Sequence, residues 1–83
     1  MTVVRISSEQ ERALKLLAGG RHGVNEELLV RGHGFSRGVL ASLVRRRLAA
    51  REREVMMAGA RPVEVVRIRI TAAGRRAIEG KPG

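Results

Sequence analysis

The chain has 83 residues, room for one small domain and not two. It carries 17 Lys and Arg against 8 Asp and Glu, a formal net charge of +9, with 43% hydrophobic residues, a single Phe and no Cys, Trp or Tyr. This composition excludes disulfide scaffolds and thiolate metal sites, argues against a disordered basic tail, and withholds the aromatic platforms on which single-strand and RNA modules stack bases.

The charge is one-sided. Residues 1–30 balance four basic groups (Arg5, Arg12, Lys15, Arg21) against four acidic ones (Glu9, Glu11, Glu26, Glu27). Residues 31–83 hold thirteen basic groups against four acidic ones (Glu52, Glu54, Glu64, Glu79), so the whole excess lies there. No apolar run reaches the ~18–20 residues of a membrane span, and the first residues lack the apolar stretch of a signal peptide. The expected setting is the cytoplasm, with no membrane partner.

In chain order, Ser7–Ala18 reads as a helix. Ser7 or Ser8 caps it, since Ser7/Gln10 and Ser8/Glu11 both have capping-box spacing, and Ala13, Leu14 and Leu17 form its apolar face. Gly19-Gly20 stops it. Residues 21–24 read as a connector, and Asn25 as the cap of a short helix, Glu26 to Arg31, with Val24 and Leu29 at staple positions. Gly32-His33-Gly34 ends that helix. Ser36 caps the next, 36–46, which Phe35 staples to Leu40. Val39, Leu40, Leu43, Val44 and Leu48 share one face at about 100° per residue. Gly38, Ala41, Ser42 and Arg45 share the other, flanked by Arg37 and Arg46, and the helix is expected to fray near Arg47.

Beyond Arg51 the period changes to two. Residues 52–57 are compatible with a strand, Ala58-Gly59-Ala60-Arg61-Pro62 reads as a turn, and Val63–Ile70 alternates Val66, Ile68 and Ile70 with Val65, Arg67 and Arg69. Thr71 caps a last short helix over 72–79, and 80–83 reads as a flexible tail, leaving one domain over 1–79.

Two short helices joined by a Gly-containing turn form a helix-turn-helix unit, and a following hairpin adds a wing. The segments Phe-Ser-Arg-Gly-Val-Leu-Ala-Ser-Leu-Val-Arg-Arg-Arg-Leu-Ala (35–49) and Arg-Ile-Thr-Ala-Ala-Gly-Arg-Arg-Ala-Ile (69–78) resemble the winged helix-turn-helix superfamily, with a MarR-like core. The resemblance covers most of the chain. It lacks the long dimerising helices of MarR-type regulators, and Arg47 stands where those proteins often have Gly. It implies an α+β, mostly helical fold of three helices, a two-stranded wing and a short C-terminal helix, binding double-stranded DNA as a regulator of transcription.

On that reading helix 36–46 enters the major groove, with Ser36, Arg37, Gly38, Ala41, Ser42, Arg45 and Arg46 at the interface. Arg61 at the hairpin tip reaches the minor groove, and Arg67 and Arg69 line the same face. The plainer alternative makes each a solvated surface group. The rival function is a protein–protein module that uses the small-residue face Gly38/Ala41/Ser42. His22 and His33 read as loop residues, Met56 and Met57 as fillers of gaps in core or wing, and Arg47 as an arginine snorkelling over the core. No nucleophile–base–acid set or phosphate loop is present, so neither enzyme activity nor cofactor nor metal is expected. Monomer and homodimer both remain open.

Overall fold

The computed structural model describes residues 5–79, an α+β arrangement of helical segments against a three-stranded antiparallel sheet. The expected tail 80–83 lies outside the described residues. Helix α1 spans Ser8–Ala18. Of the two possible capping boxes it uses Ser7/Gln10: Ser7 Oγ accepts from the Gln10 N–H at 3.1 Å, and Gln10 Oε1 accepts from the Ser7 N–H at 2.9 Å. Ala13, Leu14 and Leu17 are fully buried, as the spacing predicts.

The connector over 21–24 is where the structure first departs from the sequence reading. Val24–Asn25 forms a strand, β1, paired with Ile68 and Arg67. Two residues are too short to show a period, and what makes them a strand is the distant edge they meet. Gly23, at φ 86°, turns the chain onto that edge. Asn25 caps as expected, its Oδ1 accepting from the Glu27 and Leu28 N–H groups at 2.8 and 3.4 Å. The helix that follows is not purely α. Glu26 and Glu27 are α-helical, and Leu28–Gly32 widens into a π-helical turn closed by the His33 N–H on the Leu28 carbonyl. The wider turn buries Leu29 and lets the Phe35 N–H bond the Leu29 carbonyl at 3.0 Å, so that both side chains enter one core.

Helix α2 runs Arg37–Arg45, with Ser36 Oγ accepting from the Val39 N–H at 3.1 Å. It does not fray at Arg47. The Arg47 N–H bonds the Val44 carbonyl at 3.0 Å, the Leu48 N–H bonds the Leu43 carbonyl at 2.9 Å, and Arg47 has φ 62°. These are the paired bonds of a Schellman ending, sealed by the buried side chains of Leu43 and Leu48. Arg47 fills the left-handed position usually given to Gly, and its side chain stays exposed instead of lying over the core.

The hairpin is longer and its turn tighter than the sequence suggests. Strands β2 (Ala49–Ala58) and β3 (Arg61–Ile70) pair from Ala49↔Ile70 to Ala58↔Arg61. The expected five-residue turn contracts to Gly59-Ala60. Gly59, at φ 66°, takes the first central position, where only Gly is unstrained. The sheet order is β1-β3-β2, so the expected two-stranded unit is three-stranded. Helix α3 (Ala72–Glu79) is capped by Thr71, whose Oγ1 accepts from the Gly74 N–H at 3.1 Å and donates to the Arg47 carbonyl at 2.7 Å. Gly74 is buried because α3 sits directly on the Leu48 carbonyl, where a Cβ would collide.

Leu14, Leu17, Leu29, Leu40, Leu43 and Ile68 are fully buried at the centre, where α1, α2 and the π-helical turn meet the sheet. The hairpin's outer part leaves this core. Arg51 to Ala58 and Arg61 to Glu64 are all exposed, and the molecule measures 51 × 22 × 21 Å.

Candidate nucleic-acid interface

The apolar side of α2 is buried through Leu40 and Leu43, which turns Gly38, Ala41 and Arg45 away from the core. Gly38 is exposed, and a side chain there would meet nothing nearer than Ser36 Oγ at 3.9 Å. Ala41 is half-buried and Arg45 exposed. Ser42 is already engaged: its hydroxyl donates to the Val39 carbonyl at 2.6 Å and accepts from Gln10 Nε2 at 2.9 Å. Arg46 also turns toward α1, its Nη1 donating to Gln10 Oε1 at 3.3 Å. Gln10 therefore closes the α1 cap and ties α1 to α2, a role beyond its capping-box spacing. Ser36 spends its hydroxyl on the cap of α2.

The arginines divide into two sets. Arg37 lies 3.5 Å from Glu26 and 3.7 Å from Glu27. Arg51 reaches the same Glu26 at 2.8 Å. Glu26, with its side chain only 14% exposed, thus joins the start of α2 to the base of β2. Arg67 pairs with Glu54 at 2.7 Å and Arg69 with Glu52 at 3.6 Å, diagonal partners across the two strands. By contrast Arg45, Arg47, Arg53, Arg61, Arg75 and Arg76 have no acidic partner within ion-pair distance among the described residues. The sequence pattern points to Arg37, Arg67 and Arg69 but not to these partners, because Glu26 and Glu27 meet Arg37 from a different element and strand register sets the pairs of Arg67 and Arg69.

Arg46 also lacks a carboxylate, so the unpartnered cations of the C-terminal part sit at the end of α2, on the projecting hairpin and on α3; Arg5, Arg12 and Arg21 in the N-terminal part are likewise without an acidic partner among the described residues. Arg61 is at the hairpin turn, as expected, and Arg53 is on the opposite strand. A guanidinium without a carboxylate keeps its full charge and its five donors for an outside anion. A cleft of about 300 Å³ beside β3 is rimmed by Glu26, Glu27 and Glu64, of which Glu64 alone lacks a cationic partner among the described residues. His33 lies 6.4 Å from the Phe35 ring, and Arg12 stacks over that ring at 5.5 Å. Among the described residues no three His, Asp or Glu side chains gather as metal ligands, and no helix is long and apolar enough to cross a membrane. Compared with protein-family models, curated proteins and solved structures, the chain matches none of them.

Proposed function

We propose that this chain is a small DNA-binding module of winged helix-turn-helix type, serving in transcription regulation wherever the cell keeps its DNA. Helix α2 lies in the major groove, and the β2–β3 hairpin acts as the wing on the neighbouring backbone or minor groove. The observation that carries the reading is the coincidence of topology and charge. The order helix, short strand, helical turn, helix, hairpin, with the sheet arranged β1-β3-β2, supports the winged fold. On that frame five of the cations left without carboxylates stand at the end of α2 (Arg45, Arg46, Arg47) and on the hairpin (Arg53, Arg61), with others on α3 and in the N-terminal part.

These groups suit phosphates better than base edges. Gly38 and Ala41 offer no donor, and the Ser42 hydroxyl is occupied. Bidentate base readout needs Arg, Asn or Gln. Binding is therefore dominated by backbone contacts with modest sequence preference. The test is fluorescence anisotropy with a duplex across a salt series. Affinity is expected to fall steeply, with a log–log slope near −0.9 per neutralised phosphate. A flat salt response, or no binding at low salt, overturns the proposal.

A further inference from the structure

The end of the hairpin is built the wrong way round for a solvated turn. Val55-Met56-Met57-Ala58 is four consecutive apolar residues, followed across the turn by Pro62 and Val63. Val55 is 66% exposed and Met57 65%, with Met56 and Val63 also exposed. Pairing sets their faces. Met57 lies opposite Pro62 on one side of the ribbon, and Met56 opposite Val63 on the other. Both faces of the tip thus carry exposed apolar side chains, although sequence reading makes Met56 and Met57 gap fillers. Val55 lies opposite Glu64, which has no cationic partner among the described residues, and Arg67 Nη2 donates to Met56 Sδ at 3.9 Å. Arg53 and Arg61 bracket this tip without acidic partners among the described residues, and nearby Glu54 is neutralised by Arg67 at 2.7 Å.

We infer that the hairpin tip is an apolar wedge that enters the minor groove and opens a base step, bending the duplex. The inference rests on the DNA-binding reading and adds a mode of action to it. Three features select a polyanion with an apolar interior over a second copy of the chain. Arg53 and Arg61 outnumber Glu64, the one tip carboxylate without a cationic partner among the described residues, so a second copy would bring a net like charge, whereas a duplex presents phosphates on both sides of the groove. The two-residue turn keeps the tip narrow. Its side chains are the unbranched, adaptable Met and the rigid Pro, types that partially unstack base steps when driven between them. The unstacked step supplies the apolar surface that water denies to Met57, and Arg53 and Arg61 hold the phosphates on either side.

The experiment uses the full chain and a duplex of about three helical turns carrying a donor and an acceptor dye at its ends. Energy transfer reads bending, and anisotropy on the same sample reads binding. The wild type is expected to bind and to shorten the end-to-end distance. A variant with Met56→Ser and Met57→Ser should bind about tenfold more weakly and leave the duplex straight. Both residues are exposed and outside the core, only the weak Arg67–Met56 sulfur contact is lost, and a thermal midpoint equal to that of the wild type checks the fold. Binding by the wild type without bending overturns the wedge and leaves the DNA-binding reading standing. Absence of binding removes both. Sedimentation that finds a wild-type dimer, converted to monomer by the two serines while bending is unchanged, overturns the wedge in favour of self-association.

Discussion

At Arg47 the backbone takes φ 62° to close α2, a conformation that costs an L-residue roughly 1–2 kcal/mol and Gly almost nothing. The Thr71 hydroxyl on the Arg47 carbonyl and the buried Leu43 and Leu48 side chains hold it there. Arg47→Gly relieves the strain but loosens the unfolded chain, so a net stabilisation of about 0.5–1 kcal/mol is expected. Thermal unfolding should show the midpoint rising by several degrees, and an unchanged or lower midpoint would mean that the arginine side chain itself holds the exit. Gly74 makes the opposite case. Its missing Cβ is what lets α3 rest on the Leu48 carbonyl and on Ile70. Gly74→Ala improves helix propensity yet must push α3 off the sheet, for a loss of about 2–4 kcal/mol by urea titration. A gain would show that α3 is free to slide.

Between elements, the tie that matters most is polar. Gln10 caps α1 and also bonds Ser42 and Arg46 of the α2 segment, 32 and 36 residues away. A double-mutant cycle of Gln10→Ala and Ser42→Ala should return a coupling of about 0.5–1.5 kcal/mol, and additive effects would dissolve the link. This contact also marks how far local reading extends. Periodicity and capping recover α1, α2, α3 and the alternation of β3, because Leu14, Leu17, Leu40, Leu43, Ile68 and Ile70 each carry the period of their own element. β1, the π-helical turn and the Schellman exit are not legible that way. Val24 becomes a strand only against Ile68, Leu28–Gly32 widens only to seat Leu29 and Phe35 together, and an Arg at a left-handed position gives no local sign. The candidate interface is half legible. Arg45 and Arg61 stand exposed where the spacing puts them, while Arg37, Arg67 and Arg69 acquire carboxylates through tertiary pairing that no local rule shows.

Across the whole molecule the net charge of +9 overstates some arginines and understates others. If free guanidinium groups contact DNA, deleting one phosphate contact reduces the salt slope by about 0.9. Arg45→Ala and Arg61→Ala should each do so, whereas Arg67→Ala, which removes a cation already matched by Glu54, should leave the slope nearly unchanged. Equal slopes for all three variants would make the division between paired and unpaired arginines irrelevant to binding. Glu26 permits the converse manipulation. It holds Arg37 at 3.5 Å and Arg51 at 2.8 Å, with its side chain only 14% exposed. Glu26→Gln removes the charge that holds both guanidinium groups and leaves them facing one another, so the fold should lose about 1 kcal/mol in urea titration. The same change releases Arg51 at the base of the hairpin, leaves Arg37 at the start of α2 with Glu27 alone at 3.7 Å, and removes one negative charge from this face. Duplex affinity at low salt should therefore rise, with a steeper slope, even as stability falls. A less stable variant that binds more tightly separates a contribution to binding from one to folding. Affinity that falls in step with stability would assign Glu26, Arg37 and Arg51 to the scaffold alone.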